Sequence, residues 1–410
     1  MKWAGAAIAV CTILLMGVGL VILASVGDVQ GVRHFHDPNH FVMQQAVYDV
    51  MALVLAFAAI CVPPRVLFAR GSVAAIGALV LAGLLATHVP GLRYNALGAT
   101  RWIRVAGITI QPSEFVKVAA VVLLSWWMAR CGGRLRTWRG LAPACAGIAV
   151  VLAGFFFQDD LGSCIMLAIV DGLLLFLGGA RLRHLLLLGL VAGALGGAWI
   201  MHSPVRRARI TSVFFHEAEP AAADFAGLAD AEREAAEREA AAKRKKARDR
   251  TFQIRMAASA FARGGLRGAG LGESLYKRHY LPENHTDFIL AMVGEELGLG
   301  ATAGCVFLFA VMCACGLFVA WNAPTDATRY AAAGLTLHIC LSAGVNVGVV
   351  TGCLPTKGLA LPFLSYGGSS AIGSALAAGL LLAIAFRPGR ERPRREPDRK
   401  LVRCTDLWNG

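Results

Sequence analysis

Residues 4–25 read AGAAIAVCTILLMGVGLVILAS, without one charged side chain. A helix that crosses the hydrocarbon core of a bilayer needs about 20 such residues. Lys2 ahead of the run imitates a secretory signal, but no clear cleavage signature closes it at Ser25, so it reads as a first span that stays in the protein. Working outward, nine more apolar runs lie at roughly 44–62, 72–90, 112–130, 141–157, 163–179, 184–201, 288–320 (long, with a suspected break), 330–350 and 366–386. The chain has 410 residues, of which 57% are hydrophobic and 16% charged. A soluble domain carries about a quarter charged residues. A secreted module, a cytosolic enzyme and a single-span receptor are thereby excluded. The runs are continuous, whereas a β-barrel would alternate with period two. The predicted fold is all-α: a polytopic membrane protein of ten transmembrane helices over 1–390, with an Arg/Pro-rich tail at 391–410.

Basic residues in short loops orient such a bundle. Arg65 and Arg70, Arg130 to Arg139, Arg181 and Arg183, Arg329 and the tail fall on one side, which makes both termini cytoplasmic. The net charge of +14 then meets anionic headgroups. No nucleic-acid reading motif accompanies it, and nucleic acid is not expected as a partner. The 11 cysteines lie mostly inside apolar runs and read as small packing residues. The loop 91–111 faces outward yet carries Arg93, Arg101 and Arg104; a bound anion would give those charges a reason. The largest polar segment, 202–286, is a large extracytoplasmic loop between spans seven and eight. It contains a charged insert, 217–250, whose ADAEREAAEREAAAKRKKARDR stretch favours a solvated or interfacial helix.

Four polar clusters gather at the outer ends of spans. The first is GATRWI at 98–103 followed by QPSEFVK at 111–117. Pro112 and Ser113 suit a helix start. Glu114 and Lys117, three apart, share a helix face, either as an internal ion pair or as part of a headgroup site. Arg101 is a forked donor suited to phosphate, and Trp102 suits an interface anchor or a sugar-stacking platform. The second cluster, QDDLG at 158–162, offers Asp159 and Asp160 as helix caps or as metal or hydroxyl contacts. The third, YLPENHTDF at 280–288, packs Glu283, His285, Thr286 and Asp287 before an apolar helix and runs on to Glu295 and Glu296. A carboxylate beside low-dielectric surface can act as a general base or ligate a hard cation. The fourth, PTKGLALPFLSYGGSS at 355–370, breaks the helical pattern at membrane depth, which is tolerated only inside protein or along a cavity. The Gly-rich stretch 262–272 lacks the ending of a phosphate-binding P-loop. His34, His36, Asp37 and His40 read as solvated residues of an outer loop.

These motifs, in this order and spacing, resemble the SEDS proteins, the FtsW/RodA/SpoVE group of bacteria, and within it the division branch, FtsW, on the strength of Lys357-Gly358 after Pro355-Thr356. The resemblance covers nearly the whole chain. It implies a ten-span peptidoglycan glycosyltransferase in the inner membrane, polymerising lipid II on the outer face for the septal wall. It implies Asp287 as catalytic acid/base. It implies substrate contacts from Arg101, Trp102, Gln111, Ser113, Glu114 and Lys117, from Asp160, from Glu283, His285 and Thr286, and from Lys357, Ser365, Tyr366 and Ser369. The implied partners are lipid II, an undecaprenyl-pyrophosphate-linked glycan, a class B penicillin-binding protein, other divisome membrane proteins and membrane lipids. A divalent cation, Mg²⁺ or Mn²⁺, is the one candidate cofactor. Two departures stand out: Asp159 occupies a position where the family usually has Pro, and the 217–250 insert is large for this loop. Rival readings are a lipid II flippase, an elongation or sporulation polymerase of the RodA or SpoVE kind, and a scaffold that only recruits a synthase. A carrier should line a path to both faces, whereas the polar clusters here collect at one end.

Overall fold

The computed structural model describes residues 1–96, 99–105, 108–158, 160–201, 252–276, 286–354 and 359–387. The charged insert 217–250 and the tail 391–410 lie outside them. In chain order the elements are α1 (Lys2–Phe35), α2 (His40–Cys61), a one-turn α3 (Pro64–Leu67), α4 (Arg70–Ala86), strands β1 (Arg93–Ala96), β2 (Ala99–Val105) and β3 (Ile108–Ile110), then α5 (Pro112–Cys131), α6 (Trp138–Phe157), α7 (Leu161–Leu177) and α8 (Leu182–Met201). After these come α9 over 252–264, α10 (Ile289–Trp321), α11 (Asp326–Val350) and α12 (Gly368–Phe386). Every apolar run read from the sequence falls on one of these helices. Seven of them are long and apolar enough to cross a membrane; α4 and α7, at 17 residues each, are apolar but shorter, as is the stretch Leu182–Val191 of α8. The chain is thus a multi-pass helical membrane protein.

Local chemistry sets the helix ends. Pro112 opens α5 where a missing N–H does no harm. Asp160 caps α7 by accepting from Ser163 N at 3.2 Å. Thr325 and Thr328 close a capping box on α11. Two features differ from the sequence reading. First, α1 continues ten residues past Ser25 and stops at His36, whose φ of 57° is left-handed, so His34 belongs to a helix rather than a loop. Second, the loop 91–111 contains an antiparallel meander in the order β1-β2-β3, pairing Tyr94 with Trp102 and Arg104 with Thr109. Its strands are short, and their mixed composition hides the period of two.

The last helix is the centre of the bundle. Small residues let neighbours approach its backbone: a Cβ on Gly379 would meet the Ala56 carbonyl of α2 at 2.6 Å, and one on Gly5 of α1 would meet Ala385 at 3.0 Å. The outer stripe of α2 is the converse, with Met43, Val47, Val50, Val54 and Phe57 all exposed at helical spacing. On a water-soluble protein such a patch invites aggregation; on this one it meets lipid.

α10 is broken. Gly298 sits at φ 81°, ψ −178° inside it, a conformation essentially confined to glycine. The Gly-rich turn that follows α9 docks into the break. Ala269 N donates to Glu295 O at 2.8 Å, Gly270 N to Glu296 O at 3.1 Å, and Leu299 N to Gly265 O at 2.9 Å. The glycines of 262–272 are therefore a main-chain plug that satisfies groups orphaned by the break. The fully buried Glu295 locks the plug in place, accepting from Arg263 Nη1 at 2.5 Å, Leu275 N at 2.9 Å and the Ser274 hydroxyl.

Candidate active site

The start of α7 and the start of α5 run side by side, and Asp160 joins them. Its Oδ2 accepts from Ser163 Oγ at 2.8 Å, Ser113 Oγ at 3.1 Å and Gln111 Nε2 at 3.2 Å. Arg101 Nη1 approaches Oδ1 at 3.6 Å. Asp160 is 3% exposed, so its oxygens are committed to holding Gln111, Ser113 and Arg101 in place. Arg101 is held only loosely. Its side chain is 35% exposed, and its Nε is buried with no protein partner. A guanidinium has five donors, which leaves most of the fork for an anion. One turn further along α5, Lys117 Nζ donates to Glu114 Oε1 at 2.8 Å. Lys117 is nearly buried, and the Cβ of Glu114 lies against Gly373 of α12.

Side chains alternate across a strand, so Trp102 points to the opposite face of β2 from Arg101. It pairs across to Tyr94, over whose ring the Arg104 guanidinium sits at 5.2 Å. Trp102 thus belongs to an aromatic and cationic outer face of the meander rather than to the Asp160 side.

Asp287 and Thr286 are half-buried immediately before α10. Two other segments grip this point. Asn346 of α11 donates through Nδ2 to Asp287 O at 2.9 Å and to Leu359 O at 2.7 Å. Ser365 Oγ donates to Thr286 O at 2.6 Å and accepts from Leu361 N at 2.8 Å. The segment 359–367 then leads into α12, where Ser369 Oγ accepts from Gln111 N at 2.9 Å. Leu359 also packs against Gly162, two residues beyond Asp160. One short stretch of chain is therefore tied to the main chain beside Asp287 on one side and to the Arg101–Asp160–Gln111 cluster on the other. Phe363, buried within it, holds a left-handed φ of 68°, the kind of strain that functional loops retain. Tyr366 turns away, towards α2: its hydroxyl donates to Gln44 Oε1 at 2.6 Å, and Gly367 N donates to Gln45 Oε1 at 3.1 Å.

Of the residues singled out in the sequence, Arg101, Gln111, Ser113 and Asp160 share one hydrogen-bonded cluster; Glu114 and Lys117 form their own pair. Ser369 and Ser365 tie these to Thr286 and Asp287. Asp159, Glu283, His285 and Lys357 lie outside the described residues. Asn346, Ser163 and Glu295 were not singled out as site residues. Asn346 and Ser163 are lone polar groups in apolar runs, a weak signal, and Glu295 follows the third cluster inside an apolar run. Among the described residues no three His, Cys, Asp or Glu side chains gather as a metal site. Asp160 is saturated by protein donors and Glu114 is paired with Lys117.

The sequence pattern of the FtsW/RodA/SpoVE cell cycle proteins matches residues 6–388. A protein of Geobacter sulfurreducens named probable peptidoglycan glycosyltransferase FtsW is 34% identical over 381 residues, 92% of this chain and 94% of its own. Its namesake in Nitrosococcus halophilus is 34% identical over 388 residues, 93% and 90% of the two chains. Among solved structures, a chain of a peptidoglycan synthase complex superposes with a TM-score of 0.71 at 23% identity, covering 94% of this chain and 98% of that one. The rod shape determining protein RodA of Thermus thermophilus gives 0.62 at 22% identity, covering 94% and 97%. At those identities the superpositions speak for the fold alone.

Proposed function

The chain belongs to the FtsW/RodA/SpoVE family of cell cycle proteins, and from that membership we propose that it is a peptidoglycan glycosyltransferase polymerising lipid II for the septal wall. The names carried by its relatives support the activity and the division branch. The likeness to a chain of a peptidoglycan synthase complex supports a transpeptidase partner, a class B penicillin-binding protein. In this reading the site opens on the outer face of the inner membrane and both termini are cytoplasmic, as the basic loops suggest.

The reaction is an inverting glycosyl transfer. The GlcNAc 4-hydroxyl of lipid II attacks the anomeric carbon of the growing glycan, and undecaprenyl pyrophosphate leaves. Asp287 takes the hydroxyl proton as the new bond forms. Arg101, with donors to spare, receives the negative charge that accumulates on the departing pyrophosphate. Lys117 keeps two of its three N–H donors beyond Glu114, so the pair offers a polar wall of low net charge rather than a bare cation. Glu283, His285 and Lys357, which resemble residues of the family's motifs, complete the proposed substrate set.

The observation that supports this most is the 359–369 stretch, hydrogen-bonded to Thr286 beside Asp287 at one end and to Gln111 beside Arg101 at the other. Purified protein in liposomes with fluorescent lipid II tests it, with and without a candidate penicillin-binding protein. Polymer should form, and Asp287→Asn should lower the rate by about 10²–10⁴-fold while lipid binding persists. A variant as fast as the wild type would remove Asp287 from the mechanism. Lipid moved between leaflets without polymer would favour a carrier instead.

A further inference from the structure

We propose that Asn346 is the positioning residue of this enzyme: with Ser365 it clamps the main chain on both sides of Asp287 and sets where the carboxylate stands. The proposal rests on reading Asp287 as the general base. The geometry behind it is specific. The Thr286 carbonyl belongs to the peptide unit that precedes the Asp287 Cα, and the Asp287 carbonyl to the unit that follows it. Ser365 Oγ holds the first at 2.6 Å and Asn346 Nδ2 holds the second at 2.9 Å. Both flanking peptide planes are thereby fixed, and with them the direction of the Asp287 Cα–Cβ bond. The side-chain torsions are then what is left to place the carboxylate.

The donors come from two different parts of the chain, α11 and the segment before α12, and these are tied to each other. The second N–H of Asn346 goes to Leu359 O at 2.7 Å, and Ser365 Oγ also accepts from Leu361 N at 2.8 Å. With both amide hydrogens engaged, the Asn346 side chain cannot turn. Its Oδ1 is left buried with no protein partner, on a residue only 1% exposed. A packing role would be better served by an apolar side chain, which would strand no acceptor. The choice of an amide makes sense if two carbonyls of separate segments have to be bridged. Because the same segment continues to Ser369 and Gln111 N, the clamp also fixes how far the base stands from the Arg101–Asp160 pair. Misplacing a reacting group by about 1 Å can slow a reaction about 10²-fold.

The test uses the full chain in liposomes with lipid II, following polymer length and rate against substrate concentration. Asn346→Ala should lower kcat by about 10–100-fold and leave KM within about twofold, since the substrate groove is intact. Ser365→Ala should show the same split with a smaller loss. In an Asp287→Asn background, Asn346→Ala should cause no further loss, because a misplaced base and a missing base are the same defect. If Asp287→Asn is inactive and Asn346→Ala runs at the wild-type kcat, the clamp is refuted and the base stands. Equal losses in both backgrounds, or a loss confined to KM, refute it too, as signs of general damage. If Asp287→Asn is fully active, the base reading falls and takes the clamp with it. Should Asn346→Ala not yield monodisperse protein, Ser365→Ala decides by the same criteria.

Discussion

Replacing Gly298 by alanine probes the joint on which α10 is hung. Gly298 holds φ 81° and ψ −178°, a region that costs an L-residue about 1–3 kcal/mol. Space is a second obstacle. The new Cβ would lie 2.4 Å from Gly268 N, 2.6 Å from Leu266 O and 2.7 Å from Arg267 C. All three are main-chain atoms, so no rotamer change relieves them. The turn has to lift, and it then forfeits the bonds from Ala269 N, Gly270 N and Leu299 N, each worth about 0.5–1.5 kcal/mol. Together the loss is roughly 3–7 kcal/mol, more than 100-fold in the folding constant. Gly300, two residues on, is the control. A Cβ there meets nothing within 4 Å, and alanine should gain up to about 1 kcal/mol of helix propensity. Thermal melting of the two variants in one detergent reads the contrast: Gly298→Ala well below the wild type, Gly300→Ala equal or above. Similar shifts for both, or an unchanged melt for Gly298→Ala, would mean that the plug does not hold α10 as described.

Glu295→Gln should cost about 2–4 kcal/mol, because it strips the charge that Arg263, Ser274 and Leu275 N converge on; adding Arg263→Met should recover part of the melting temperature. Lys117→Met should destabilise more than the Glu114→Gln/Lys117→Met double variant, since the single change strands a half-buried carboxylate; a double-mutant cycle by chemical unfolding reads the coupling. Asp171 of α7 is buried with neither oxygen partnered. Asp171→Leu should therefore raise stability by about 1–3 kcal/mol, measured by melting; a fall accompanied by lost polymerisation would assign it a ligand.

Most of the helical scaffold was legible because length and uninterrupted apolarity suffice to mark a helix that lipid surrounds. The meander was not, since short strands rich in Arg and aromatics carry no clear alternation. Had it been seen, the opposition of Arg101 and Trp102 would have followed at once. The acids around Asp287 announced themselves by their density before an apolar run. Asn346 did not, because one amide on the buried wall of α11 gains meaning only from the two carbonyls it meets, 59 and 13 residues away. The glycines of 262–272 could be denied a nucleotide role from sequence, but their actual task depends on a break in a helix that follows them. The length of the 288–320 run hinted at that break without revealing what fills it.

The burial of α12 has a consequence for biogenesis. The element against which α1, α2 and α5 rest is among the last to leave the ribosome. Until it inserts, α2 has no wall for Ala56 to lean on, and the main chain of the first helix near Gly19 lacks the Leu364 carbonyl that it abuts. The earlier helices must therefore wait in the bilayer as an open horseshoe. Nascent chains of this protein should be most exposed to quality-control proteases in the interval before α12 emerges.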